Sequence, residues 1–193
     1  MTANRCWWST TDPLMTTYHD TEWGSPVHDD QTLFEFLILE GAQAGLNWQI
    51  ILNKRENYRE AFDRFHPAKV ANYTDAEVGE LLNDSGIIRN RLKIHSAITN
   101  ARGVLRIQEE NGSLDAYLWK FVDGKPKLNT WEHSSDIPTM TTESRALSEA
   151  LIERGFKFVG PTITYAFMQA TGMVNDHLVS CYRHQELAEG NQR

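Results

Sequence analysis

Apolar residues recur every three or four positions along most of the chain, the period of helices that bury one face. From Asp30, read as an N-cap, the segment QTLFEFLILEGAQAG places Leu33, Phe36, Leu37, Glu40 and Ala44 within one narrow arc. A second helix is predicted from Asn47, with Trp48, Ile51, Leu52, Tyr58, Phe62 and Phe65 inward and Pro67 as its stop. Thr74 with Glu77 forms a capping-box pattern opening a short helix that ends near Gly86. The stretch IIRNRLKIHSAITNARGVLRIQEENG then aligns Ile94, Ala97, Ile98, Ala101 and Leu105, with Arg89, Arg91, Lys93 and Arg102 near its start and flank. In the last third, TESRALSEALIER is stopped by Gly155, GFKFVG is a short connection closed by Gly160, and Pro161 opens TITYAFMQAT. That is a helix, a tight hairpin and a helix. A connection flanked by two glycines can aim backbone N–H groups at a phosphate, although an ordinary αα-hairpin has the same pattern. The expected class is all-α.

No repeat, low-complexity tract or Ser/Gly linker divides the sequence, so one domain is expected over residues 1–185. ELAEGNQR has no apolar face, and residues 186–193 are expected to be a disordered tail. The 193 residues are 40% hydrophobic and 10% aromatic, which excludes disordered, collagenous and coiled-coil chains. No apolar run approaches the ~18 residues of a membrane span, and MTANRCWWSTTDP lacks the form of a secretory leader. A cytoplasmic location with no membrane partner is expected. The 19 basic against 26 acidic residues, net −7, argue against coating nucleic acid by bulk attraction but permit a local basic face.

The two cysteines, Cys6 and Cys181, each have a histidine in reach. His177 and Cys181 are spaced i, i+4, which on a helix puts both on one face, and His19 follows Cys6 after twelve residues. A closed Cys₂His₂ set would be structural, tying the start of the chain to its end. Satisfied core histidines, buried free thiols or a disulfide are the alternatives, the last disfavoured in a reducing compartment. Glu40 is a second anomaly, because an ionised carboxylate rarely occupies the centre of an apolar arc unpartnered. Either local backbone or an arginine satisfies it, or it lines a pocket and accepts hydrogen bonds from a ligand. Trp7, Trp8, Tyr18, Trp23 and Trp48 lie close to it in sequence. Such rings usually form core, yet rings around one carboxylate also suit a flat, electron-poor or cationic ligand.

Several stretches together resemble the 3-methyladenine DNA glycosylase I family of bacterial base-excision repair: YHDTEWG, LFEFLILEGAQAGLNW, KRENYREAF, SGIIRNRLKI, RGFKFVGPTITYAFMQATGMVNDH and the terminal His-x₃-Cys. They run from Cys6 to about Cys181, nearly the whole chain. The resemblance implies a helix-hairpin-helix glycosylase fold, with residues 143–171 gripping the DNA backbone. It implies structural zinc on Cys6, His19, His177 and Cys181. It further implies a base pocket built on Glu40 as the catalytic residue, with Tyr18, Trp48, Trp8 and Trp23 binding the base. Gln43-Ala44-Gly45-Leu46 matches the loop that probes the duplex, with Leu46 as the plug for the gap left by an extruded base; as an alternative, Leu46 merely packs on the core. Lys157, Gly160 and Thr162 join Gly45 and Leu46 as DNA contacts, since Pro161 lacks an N–H.

The implied reaction is monofunctional hydrolysis of the N-glycosidic bond of 3-methyladenine in double-stranded alkylated DNA, by a monomer, after base flipping. Asn175 lies near the place where many helix-hairpin-helix glycosylases carry a catalytic aspartate, while Asp176 reads as structural. Met15 stands where the family suggests another aromatic. With a net charge of −7, affinity should rest on local groups such as Lys157, Arg154, Arg89, Arg91 and Lys93. The alternative reading is a non-catalytic, zinc-stapled module that binds DNA or a base. A zinc hydrolase is disfavoured, because four protein ligands would leave the metal no open position.

Overall fold

The structure, a computed structural model, describes residues 4–10 and 12–190. Among these the architecture is predominantly helical, as expected, with eleven α-helices. Two two-residue strands, β1 (Lys127–Leu128) and β2 (Val174–Asn175), pair in parallel.

The central element is α2 (Asp30–Gln43), in which every residue from Leu33 to Ala42 is buried. The predicted arc is therefore too narrow. Phe34 and Leu39 are as inaccessible as Leu33, because α3 (Trp48–Asn53), α7 (Arg91–Asn111), α8 (Leu114–Trp119) and α10 (Pro161–Ala170) surround the helix. Asp29, rather than Asp30, caps it by accepting from the Thr32 N–H. Asp30 instead accepts the Leu114 and Asp115 N–H groups, fixing the start of α8 to α2.

The expected second helix is broken. It consists of α3, α4 (Arg55–Ala61) and a 3₁₀ turn over Asp63–Phe65, and Pro67 opens α5 (Pro67–Val70) instead of stopping a helix. Asp63, Arg64 and Phe65 all have positive φ, and the bend stacks Phe62 on Phe65 with both rings buried. Core burial outweighs the local cost of the left-handed backbone. The break also places Arg55 at a helix start, where it reaches Glu35 at 2.5 Å and Glu22 at 2.6 Å.

The Thr74–Glu77 capping box is present, and α6 (Asp75–Asn83) ends before Gly86. In α7 the buried stripe is Ile94, Ala97, Ile98 and Ala101, continued by Val104 and Ile107, with Leu105 only half-buried. α9 (Thr142–Glu153), a hairpin and α10 follow the predicted order. The hairpin is seated on both sides. Phe156 fills the space left by Gly103, where a Cβ would lie 2.4 Å from the ring, and Phe158 packs on Gly41. The Asn100 amide brackets Lys157, accepting from its N–H at 2.8 Å and donating to its carbonyl at 2.9 Å.

The chain ends are knitted together as well, since Tyr182 N–H donates to Asn4 O and Asn4 Nδ2 donates to Ser180 O. The expected tail is not frayed from residue 186. α11 (Tyr182–Gly190) is helical to Gly190, and residues 191–193 lie outside the described part. The half-buried Leu187, near Gly24, shows that this end rests on the body of the protein.

Candidate active site

Glu40 sits on the last turn and a half of α2 and is 5% exposed. No hydrogen bond or ion pair to its carboxylate exists among the described residues, and desolvation pushes its pKa up to about 8. The arginine-satisfied glutamate of this helix is Glu35, which holds Arg55 and Arg59. Glu40 instead faces a cavity of about 390 Å³ that it lines together with Trp8, Tyr18, Trp23 and Trp48, so all five expected pocket residues meet.

The rings are set at angles to one another. Tyr18 and Trp48 have centroids 5.4 Å apart, and Trp8 meets Trp23 edge-on at 5.1 Å. Trp48 lies over Phe36 at 6.5 Å, nearly parallel, and its buried Nε1 has no acceptor among the described residues. Burial first and the Glu40 carboxylate second raise the Tyr18 pKa well above the ordinary phenol value. The cavity thus offers flat apolar walls, one unpaired carboxylate and neutral phenol and indole groups. That combination accepts a planar ligand bearing positive charge or N–H donors.

Met15 lines the cavity and fills part of the wall where another ring was expected. Trp7, one of the rings near Glu40 in sequence but outside the pocket set that the resemblance implies, lies at the cavity's edge, 65% exposed. Gln43, Ser134, Ile137, Ala166 and Gln169 also line it. Nothing in the local pattern marks Ser134, which opens a single 3₁₀ turn over Ser134–Asp136, or Ile137, which follows it.

Near this cavity the chain turns sharply after α2. Gly45 has φ +79°, Leu46 N–H donates to Gln43 O, and the Leu46 side chain is 40% exposed, so it does not pack into the core. Gly160 caps α10 with φ −62°, and a Cβ there would meet open space. Lys157 and Thr162 are exposed on either side of it. Two of the basic groups expected to serve DNA are otherwise engaged. Arg154 pairs with Glu110 and the Tyr117 hydroxyl, and Lys93 Nζ donates to the Ala42 and Ala44 carbonyls. Arg89, Arg91 and Lys157 form no ion pair among the described residues.

Asn175 and Asp176 are both buried and fully engaged. Asp176 accepts from Asn129, Trp131, Tyr165 and Gln169, in keeping with a structural role. Asn175 donates to His184 O and accepts the His177 N–H.

Cys6, His19, His177 and Cys181 converge, with ligand atoms all within 4.8 Å of one another and exposures of 0–2%. The i, i+4 pair is not helical as supposed. It lies in the turn after β2, where Cys181 N–H donates to Leu178 O, and α11 begins only afterwards. Cys181 Sγ is 3.4 Å from His19 Nε2 and 3.6 Å from His177 Nδ1, and Cys6 Sγ is 3.7 Å from His177 Nδ1. A tetrahedral ion with ordinary zinc bond lengths requires N···S edges of about 3.6 Å. The far ring nitrogens are also fixed: His19 Nδ1 faces Asp20 at 2.8 Å and His177 Nε2 faces the Trp23 carbonyl at 3.0 Å. Both acceptors require N–H on those atoms, leaving the unprotonated nitrogens aimed at the sulfurs, as a metal needs. Contact with Cys181 and burial push the Cys6 thiol pKa up, whereas contact with Cys6, His177 and His19 holds the Cys181 pKa well below the ordinary thiol value. The donor set fits a metal ion.

The Cys₂His₂ cluster and the cavity share walls. The Trp8 ring lies 5.3 Å from His19 and the Trp23 ring 4.6 Å from His177.

The sequence profile of the methyladenine glycosylase family matches residues 8–184. DNA-3-methyladenine glycosylase 1 of Escherichia coli K12 is 50% identical over 177 residues, 92% of this chain and 95% of its own. A crystal structure of 3-methyladenine DNA glycosylase I superposes with a TM-score of 0.91 at 49% identity, covering 93% of this chain and 98% of that one. A Staphylococcus aureus 3-methyladenine DNA glycosylase I, whose structure concerns 3-methyladenine recognition, gives 0.90 at 40% identity over 93% and 96%. With both the profile and these relatives covering nearly all of its length, the chain belongs to the methyladenine glycosylase family.

Proposed function

We propose that this protein is a monofunctional DNA glycosylase that flips 3-methyladenine out of alkylated duplex DNA and hydrolyses its N-glycosidic bond. One observation carries the reading: a buried carboxylate, Glu40, without a protein partner among the described residues, at the wall of an aromatic cavity. Methylation at N3 makes the attached adenine cationic. A cation entering beside Glu40 favours the ionised carboxylate, so the site discriminates for charge that an undamaged base lacks. Trp48 stacks on the base, Tyr18 and Glu40 meet its modified edge, and Trp8 and Trp23 close the remaining walls. Unpairing costs a few kcal/mol. Stacking at ~1–3 kcal/mol per base and charge-assisted hydrogen bonds at ~1.5–3 kcal/mol offset it. The C1′–N bond breaks with its electron pair leaving on the base, whose positive charge is thereby cancelled. Water adds at C1′ and gives up a proton.

In this reading residues 143–171 act as a helix-hairpin-helix element. The N–H groups of Gly160 and Thr162 and the Lys157 side chain hold phosphates, while Gly45 and Leu46 enter the gap in the duplex. The open space beside Gly160, whose φ any residue could adopt, suits close approach by a DNA backbone. Structural zinc on Cys6, His19, His177 and Cys181 would neutralise the thiolates and hold the two chain ends together. The protein then works as one domain, as a cytoplasmic monomer. No helix of the described residues is long and apolar enough to cross a membrane.

Membership of a family of named glycosylases weighs against the non-catalytic module. The test is incubation with methylated duplex DNA and chromatography of the liberated bases. Free 3-methyladenine well above the spontaneous background supports the enzyme, and background release rejects it.

A further inference from the structure

Lys93 is basic and lies beside the face proposed to meet DNA, yet its ammonium is turned inward. Nζ donates to the carbonyls of Ala42 and Ala44, each at 2.7 Å. It has no carboxylate partner among the described residues, and burial lowers its pKa. Ala42 lies in the last turn of α2 and Ala44 is its C-cap, so these carbonyls lack partners within the helix. A cation at a helix C-terminus also complements the helix dipole. The donor is itself well anchored: Asn90 caps α7 by accepting the Leu92 and Lys93 N–H groups. From the clamped carbonyl of Ala44 the chain passes through Gly45, at φ +79°, to the half-exposed Leu46. Gln43 and Trp48, on either side of this turn, both line the cavity.

We infer that Lys93 is a positioning residue for base extrusion: by clamping the end of α2 it holds Leu46 in the attitude needed to fill the space vacated by the flipped base. The inference rests on the glycosylase reading and assigns Lys93 a role other than phosphate contact. A turn tethered at only one end would sample many orientations, and misplacement by ~1 Å of a group that must enter a duplex can cost up to ~100-fold in rate.

The experiment is single-turnover excision from a duplex containing one 3-methyladenine by the wild type, Lys93→Met, Leu46→Ala and the double variant. Two further measurements accompany it: the thermal shift produced by free 3-methyladenine, and the salt dependence of duplex binding. Lys93→Met is expected to keep the thermal shift, lose about tenfold or more in excision, and leave the salt slope unchanged. In the Leu46→Ala background the same substitution should cost less than about twofold, because its target is already gone. Additive losses overturn the inference, and so does a salt slope reduced by about one, which marks a phosphate contact. If Lys93→Met does not fold, Lys93→Gln, whose side chain is one bond too short to reach both carbonyls, runs the same cycle against the same criteria. A wild type that releases no base overturns the glycosylase reading and this inference together, whereas an active wild type with an additive cycle overturns this inference alone.

Discussion

At the scale of single residues, Glu40 and Glu35 lie five positions apart on one buried helix and differ by what faces them. Glu35 has two guanidinium groups, and Glu40 has a cavity. The sequence marked Glu40 because it fell inside an apolar arc, whereas nothing local distinguished Glu35, whose arginines come from another helix. The raised pKa has a definite sign. The folded value is about 8 against an ordinary 4.5, so between these pH values the folded chain binds more protons than the unfolded one. Glu40 therefore subtracts stability progressively as pH rises from 4.5 to 8. Glu40→Gln should consequently melt higher than the wild type at about pH 9, with the gap closing near pH 5 as the carboxyl becomes neutral. Parallel melting curves across that range would reject the assignment. The same substitution should cut excision by about 100-fold or more if the ionised group meets a cationic base, which single-turnover base release measures. Ligand binding below pH 8 should release a proton, seen as a buffer-dependent heat in calorimetry.

Among elements, the helices that the sequence located well are those whose own residues carry the signal. α6 has its capping box, α7 a long stripe, and α9 and α10 a glycine and a proline at their facing ends. The break at Lys54 was invisible because KRENYREAF is an unbroken helical pattern. The turn there brings Arg55 onto partners distant in sequence, Glu35 and Glu22. The basic face was misjudged for a related reason: composition counts charges but does not reveal that Lys93 and Arg154 are already occupied. Packing of the hairpin offers a direct test. Gly103→Ala places a methyl group against the Phe156 ring, with no room to spare, on the helix that also holds Asn100. It should cost about 1–3 kcal/mol in chemical denaturation and weaken duplex binding more than free-base binding. A change in neither would mean that the hairpin accommodates the methyl group by moving without consequence.

For the whole molecule, the four residues of the Cys₂His₂ cluster come from both ends of the chain and lie behind two walls of the cavity. Residue types and spacing offered this cluster as one reading among several and the family resemblance singled it out; that Trp8 and Trp23 separate it from the cavity could be learned only from the fold. Cys181→Ser is expected to lose one bound zinc per chain in elemental analysis and to melt several degrees lower than the wild type. A wild type purified without metal would end the zinc assignment. The overall charge of −7 leaves few cations for phosphates. The slope of log affinity against log salt should therefore correspond to about three neutralised phosphates, for Arg89, Arg91 and Lys157, and a slope twice as steep would point to unassigned contacts. Cys6 and His19 lie far in sequence from His177 and Cys181, the partners they meet in space, and this separation has a consequence for biosynthesis. A nascent polypeptide emerging from the ribosome contains Glu40 and every tryptophan of the pocket long before the residues that brace them are translated. The backing of Trp8 and Trp23 is thus completed only once His177 and Cys181 have been added, and a product terminated before them carries the pocket's residues without that support.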